Sequence, residues 1–274
     1  MERNIAIDPR PSAIEWIEKE AWLDMYSAAP QMVAEAFYLR STSIAETPAL
    51  GGATIPISEF NRAFMMDDLA KPPIADVTEW LRANSAPDFA IQLAVVEETA
   101  ELQAWARQNG FEPAGNGWSK LIRNVGLAGD KDFPKNERLT LNIDPDPELY
   151  GNIVVSSMGL PKQTGEWFSA LVGRPNWYVA VALLGGEAVG SGALFVKDQW
   201  AWFGIDGTLE NARRQGIQTA LIQARVEMAR KLGALYLTAE TGRPEDASGK
   251  HTSRDNYMRN GFSEAYHRLN FKTK

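Results

Sequence analysis

Cysteine is absent from this 274-residue chain, and histidine occurs only twice, at His251 and His267. Without cysteine there is no disulfide, no thiolate metal site and no cysteine nucleophile. Two histidines cannot build a metal site alone, and they leave few candidates for a serine–histidine triad; no metal is expected. Long apolar runs are also missing. No window approaches the ~20 residues of a membrane span, and the start, Met-Glu-Arg-Asn, lacks a signal peptide's apolar core. The expected setting is the cytoplasm, with no membrane partner. Positive charge is in deficit, 28 Lys and Arg against 35 Asp and Glu, for a net charge of -7. That balance argues against general nucleic-acid binding. A hydrophobic content of 45%, with 9 Trp and 11 Phe, is ample for a packed core. The length suits one large domain or two moderate ones.

The chain is organised around Gly207 to Leu221, Gly-Thr-Leu-Glu-Asn-Ala-Arg-Arg-Gln-Gly-Ile-Gln-Thr-Ala-Leu. A strand-like segment, Trp200 to Asp206, precedes it, and an amphipathic helix follows. Ile217, Leu221, Ala224, Met228 and Leu232 recur at helical spacing, whereas Gln223, Arg225, Glu227, Arg230 and Lys231 take the other face. Gly233 supplies the stop. At the helix entrance Gly216 removes the side chain where a ligand must approach the backbone. The N–H groups of residues 214 to 219 lack intrahelical acceptors, and the helix dipole adds positive charge. Arg213 and Arg214 place two further charges there. A solvated Arg pair on an ordinary connection is the plain alternative. Strand, basic turn, glycine and helix in series favour a phosphate or pyrophosphate receptor.

In chain order, Ala13–Ala28 and Gln31–Tyr38 read as helices, with Trp16, Trp22, Met25 and Phe37 as core residues. Ala53–Phe64 reads as a strand leading to Met65-Met66-Asp67-Asp68, where the carboxylates would repel a phosphate. Helix Ile74–Ala83, strand Phe89–Val96, helix Glu97–Asn109 and strand Trp118–Arg123 follow. Polar, turn-rich sequence between Leu127 and Asn136 reads as a linker. Beyond it come strand Arg138–Ile143 and helices near Glu148–Met158 and Thr164–Val172. A meander follows, Trp177–Leu184, a Gly185-Gly186 turn, Glu187–Val196 and Trp200–Leu209. After the central helix come strand Ala234–Glu240, helix Thr252–Asn260 and strand Glu264–Phe271. Gly249-Lys250-His251-Thr252 fails as a phosphate loop, because Pro244 occupies the first glycine position and His251 stands where Ser or Thr is needed. There is an internal echo: Gln108-Asn109-Gly110-Phe111 before a strand repeats Arg259-Asn260-Gly261-Phe262 before a strand.

Arg213-Arg214-Gln215-Gly216-Ile217-Gln218 resembles the pyrophosphate signature of the GNAT acyl-CoA-dependent N-acetyltransferases, Arg/Gln-x-x-Gly-x-Gly/Ala. Gln218 stands where the family has Gly or Ala. Tyr257-Met258-Arg259-Asn260-Gly261-Phe262 resembles the GNAT ending Tyr-x-x-x-Gly-Phe, whose tyrosine approaches the cofactor sulfur. Ser253-x-x-Asn256-x-x-Arg259 resembles a branch in which Ser and Asn reach the CoA arm; Lys250 replaces an asparagine often found there. The resemblance implies an α/β fold, an α+β mixed sheet of two tandem GNAT-like domains. Residues 1–128 would be a degenerate copy without a pyrophosphate loop, and residues 137–274 the acetyltransferase domain.

It implies acetyl-CoA as co-substrate and a small-molecule or protein amine as acceptor. The cofactor contacts would be Gly207, Thr208, Leu209, Arg213, Arg214, Gln215, Gly216, Ile217, Gln218, Thr219, Ser253, Asn256 and Tyr257. Acyl transfer needs a neutral amine, although a lysine-like amine has a pKa of ~10.4, so a base or water chain must take its proton. Glu240, ending a strand, is the first candidate base and Asp206 the second; either equally suits a structural role. A strand splayed or bulged near Gly207–Leu209 would offer N–H donors to the oxyanion. Tyr257 suits the acid that protonates the leaving thiolate. A non-catalytic acyl-CoA-binding or interaction module is the rival reading. The aromatic-rich first half is expected to wall the acceptor cleft.

Overall fold

The computed structural model describes residues 11–64, 74–126, 136–244, 249 and 252–273. The Met65–Asp68 run, most of the expected linker, Lys250 and His251 lie outside the described residues. The first half runs α1 (Pro11–Ser27), α2 (Gln31–Ala36), β1 (Leu39–Ile44), β2 (Thr47–Gly52), β3 (Arg62–Phe64), α3 (Ile74–Asn84), β4 (Ala90–Ala94), α4 (Ala100–Gln108) and β5 (Phe111–Asn124). The second runs β6 (Leu139–Asn142), α5 (Pro147–Met158), α6 (Gly165–Ser169), β7 (Trp177–Leu184), β8 (Glu187–Lys197), β9 (Trp200–Thr208), α7 (Ile217–Lys231), β10 (Tyr236–Gly242), α8 (Thr252–Arg259) and β11 (Ser263–Thr273).

Most sequence expectations reappear within a few residues of these bounds. Gly185 and Gly186, at φ 62 and 92, make the two-residue hairpin between β7 and β8, a pair of positive φ values that glycine adopts without strain. Two expectations fail. Helix Gln31–Tyr38 stops at Ala36, because Tyr38 turns left-handed at φ 51 and starts a β1–β2 hairpin. The expected strand Ala53–Phe64 is mostly loop. A 3-10 turn, Ser58–Phe60, occupies its centre, and the Asn61 side chain accepts the Gly52 and Ala86 N–H groups at 2.9 Å each.

All eleven strands join one mixed sheet in the order β1-β2-β3-β4-β11-β5-β10-β9-β8-β7-β6. Apart from the extra β6, that order reads alike from either end. β3 and β4 pair in parallel, as do β9 and β10. At the centre the last strand of each half has crossed over: β11 pairs with β4, β5 with β10, and the two with each other, all antiparallel. Each half ends a helix with Asn-Gly, the glycine at φ 81 (Gly110) or 82 (Gly261), before its crossing strand. The crossing leaves no unpaired edge between the halves, the position where an exposed strand would invite aggregation.

Helix α1 ties the halves together on one face. The indole N–H of Trp167 donates to the Met25 carbonyl at 2.7 Å. Asp24 accepts from Arg174 at 2.7 and 3.0 Å and from the Trp177 indole at 2.7 Å. Trp22 meets Phe60 and Trp202 edge-on, at 5.7 and 6.1 Å between ring centroids. This aromatic seam forms one wall of the cleft described below.

Candidate functional site

The site begins where two strands part. β10 follows β9 in parallel register only from Tyr236↔Trp200 to Ala239↔Phe203. Beyond that point β9 stays with β8 and β10 stays with β5. The separation starts at a bulge in β9, where Ala193 pairs with Gly204 but Ser191 pairs with Gly207. Ile205 carries the extra residue at φ 54. A β-branched side chain rarely adopts that conformation, which costs about 1–3 kcal/mol. Gly204 must lack a side chain, since a Cβ there would come within 1.9 Å of the Trp202 ring. The bulge lies a few residues before the expected Gly207–Leu209. Leu209 is no oxyanion donor, because its N–H goes to the Val189 carbonyl at 2.8 Å. Gly207 is required by packing, as a Cβ there would meet Ser157 Oγ at 1.9 Å.

Two cavities meet at the fork. The larger, about 1420 Å³, opens at the start of α7 and includes Thr208, Arg213, Arg214, Gly216, Ile217, Gln218, Thr219, Ser253 and Asn256. Arg214 at φ 62 and Gly216 at φ 83 put two left-handed residues into the turn, the kind of backbone from which anion-binding nests are built. A Cβ on Gly216 would meet none of the described residues within 4 Å, which leaves space for a ligand on that side. Ser191 also lines this cavity, with a buried hydroxyl lacking a hydrogen-bond partner among the described residues. These features fit a pyrophosphate group. The Gln218 side chain crosses to α8: it donates to Ser253 Oγ at 3.1 Å and accepts from the Asn256 amide. Gln215 is exposed, and its carbonyl accepts from Asn136 at 3.3 Å.

The smaller cavity, about 310 Å³, is walled by both halves. Trp22, Phe60 and Trp118 come from the first, Phe168 and Trp202 from the second. Asp206 and Ser253 line both cavities. Tyr257 is 2% exposed, stands against Phe262 at 5.0 Å between centroids, and donates its hydroxyl hydrogen to Asp206. Burial, then the Asp206 charge, raises the Tyr257 pKa well above the ordinary value of 10. Its hydroxyl stays protonated.

Arg225 holds Asp206 from behind, with Nη2 2.9 Å from Oδ2. Its guanidinium also lies 4.8 Å from the Phe203 ring centroid. Periodicity puts Arg225 on the polar face of the central helix and Leu232 on the apolar one. Arg225 is instead 2% exposed and Leu232 38% exposed. An ion pair with Asp206 and a 2.8 Å bond to the Ala193 carbonyl offset the cost of burying the guanidinium. Gly192 leaves room for it, since a Cβ there would lie 2.7 Å from Arg225 Cζ.

Glu240, the first candidate base, is poorly placed to accept a proton. Its oxygens lie 2.9 Å from Arg62, 3.4 Å from Lys120 and 3.0 Å from Arg268. Although burial opposes ionisation, these three cations together hold its carboxyl far below the usual range. The same cations bind Glu18, and Arg268 also binds Glu15 at 2.7 Å. Three carboxylates and three cations thus balance within the core. The sequence reading missed this cluster. Its signal was charge on an apolar stripe: Ile14, Glu18, Ala21 and Met25 share one face of α1.

Glu240 has a depressed folded pKa, so its pairs stabilise the fold above the unfolded carboxylate value of about 4.3 and fail as pH falls through the folded value. Glu240→Gln should accordingly lower Tm at pH 7, and the gap to wild type should narrow between pH 5 and pH 2. Thermal melts across that range measure it; a gap independent of pH would refute the ion-pair account.

A search among curated proteins finds no match to this sequence. Residues 153–262 match the family model of the Acetyltransferase (GNAT) family. Among solved structures, a GCN5-related N-acetyltransferase from Kribbella flavida is 14% identical, with TM-score 0.61 over 96% of both chains. One from Sphaerobacter thermophilus is 18% identical, with TM-score 0.59 over 73% of this chain and 66% of that one. A tandem GNAT protein from the clavulanic acid biosynthesis pathway is 15% identical, with TM-score 0.56 over 77% and 74%. The matched segment holds the fork, the mouth of α7 and Tyr257; the chain therefore carries a GNAT-family domain at residues 153–262, in a mixed α/β fold shared along most of its length with GNAT structures.

Proposed function

We propose that this chain transfers an acetyl group from acetyl-CoA to an amine by direct attack in a ternary complex. The supporting observation is the fork, where an anion-receptive cavity and an aromatic cavity share Asp206 and Ser253. A pyrophosphate would take the N–H groups of residues 214 to 219 with Arg213 and Arg214, and acetyl-CoA supplies the activated thioester. Tyr257 keeps its proton, which Asp206 accepts as a hydrogen bond in the resting site; the O–H would turn from Asp206 to the departing thiolate sulfur, Arg225 would keep Asp206 in place, and the attacking amine would release its proton to water. Much of the rate would come from positioning the two substrates. Residues 1–128 and 137–274 are the proposed tandem units, each lending its final strand to the other's side of the sheet.

One observation favours the rival reading of a non-catalytic acyl-CoA module. Gln218 already engages Ser253 and Asn256, the residues assigned to the CoA arm. Two measurements separate the readings. Acetyl-CoA should raise Tm by linkage, and an amine panel should then show amine-dependent release of free thiol. A thermal shift with no turnover of any amine favours the module. Gly216→Glu, which puts bulk and negative charge into the open side of the mouth, should abolish the shift, whereas Gly216→Ala, sharing the positive-φ strain, should retain most of it. An undiminished shift in Gly216→Glu would remove the pyrophosphate assignment.

A further inference from the structure

If the chain is an acetyltransferase, the smaller cavity is where its acceptor must sit, and the choice of acceptor rests on that function. Among the described residues the lining contains three carboxylates, Glu59, Asp206 and Glu240, and no Lys, Arg or His. Two of these carboxylates are already neutralised. Asp206 is paired with Arg225, and Glu240 with Arg62, Lys120 and Arg268. Glu59, on the 3-10 turn Ser58–Phe60 of the first half, has no ion pair or hydrogen bond from its carboxylate among the described residues. It is half-buried, next in sequence to Phe60, and lines the same cavity as Trp22 and Trp202.

A half-buried carboxylate that lines a cavity walled by aromatic rings, with no cation paired to it among the described residues, is a receptor for a cationic ligand with an apolar body. The volume, about 310 Å³, lies at the lower end of small-molecule sites, about 300–1,000 Å³. An acceptor bearing its own carboxylate would meet like charge at Glu59 and find no cation among the described residues of the lining to receive it. A polyamine would bring charge along its whole length into a wall of Trp and Phe, with one unneutralised carboxylate to meet it.

We infer that the acceptor is a small amine carried on an aromatic or similarly apolar body, with no carboxylate, and that Glu59 of the first half binds it as the ammonium. Glu59 is thus a specificity-determining residue supplied by the half without the pyrophosphate loop. The ammonium enters against Glu59 and must shed its proton to solvent or a carboxylate before attack, so the residue acts on acceptor binding more than on the chemical step.

The test uses the full chain at saturating acetyl-CoA, with thiol release measured for 2-phenylethylamine, phenylalanine and spermidine. The expected order puts 2-phenylethylamine at least about tenfold ahead of the others in kcat/KM. Glu59→Gln should raise the KM for 2-phenylethylamine by about tenfold, the scale of one charge-assisted contact, with a smaller change in kcat and an unaltered acetyl-CoA thermal shift. Glu59→Asp should recover part of the loss. Preference for phenylalanine or spermidine, or an unchanged KM in Glu59→Gln, overturns this inference and leaves acetyl transfer standing. Absence of any acetyl-CoA thermal shift, or of turnover with every amine, overturns the acetyltransferase reading and this inference with it.

Discussion

Tyr257→Phe should lower turnover by about 10²–10⁴-fold, the usual contribution of one positioned acid, while the acetyl-CoA thermal shift changes little. The ring is a packing element: it lies edge-on to Phe203 and Phe262, at 6.2 and 5.0 Å between centroids. Phenylalanine keeps those contacts. Only the hydroxyl is lost, and with it the bond to Asp206. Asp206 remains paired with Arg225, so the cost to stability should stay within about 1.5–3 kcal/mol, the range for one hydrogen bond to a charged group. The tyrosine pKa is raised by burial, so the alkaline limb of the wild-type pH–rate profile should not report its ionisation. Steady-state kinetics at saturating acetyl-CoA measures the effect. Wild-type turnover in Tyr257→Phe would return the residue to a core aromatic.

Arg268→Met should be the most destabilising of these substitutions, by about 3–5 kcal/mol, because it leaves carboxylates buried without their main partner. Arg268 is fully buried, bonds Glu15 at 2.9 and 2.7 Å, and reaches Glu240 at 3.0 Å. Arg62 and Lys120 still reach Glu18, but Glu15 keeps only the Tyr266 hydroxyl among the described side chains. Denaturant melts read the loss as a lower midpoint at similar slope. Adding Glu15→Gln should cost less than the sum of the two changes, the mark of a shared interaction. A surface pair supplies the contrast. Lys231 and Glu227, at 3.8 Å with side chains 68% and 43% exposed, should contribute under about 1 kcal/mol. Equal losses at both places, or strict additivity in the double variant, would mean that the buried cluster is not a coupled electrostatic unit.

Much of this molecule was legible residue by residue. The Gly185-Gly186 hairpin, the mouth of α7 at Gly216 and the Gly233 stop each depend on backbone freedom at one or two positions, so short windows suffice. Asn-Gly at the ends of α4 and α8 likewise announced two helix-to-strand turns with positive φ at glycine. Errors arose where distant groups decided. Arg225 reads as a polar-face residue until Asp206, on another element, is set against it. Glu240 reads as a base at a strand end until Arg62 arrives from 178 residues away. Nothing local in Ser58-Glu59-Phe60 marks it as part of a cleft whose other wall comes from the second half.

Most elements outside residues 31–64, and the strand–turn–helix around Gly216, can be read from short windows, because dihedral preference and hydrophobic period act between near neighbours. Tertiary structure alone decided that β5 and β11 change sides, that Glu15 meets Arg268 across 253 residues, and that two halves enclose one cavity. Pairing partners are chosen by which edges and charges remain unsatisfied once the whole sheet is assembled, and no window of the chain contains that information.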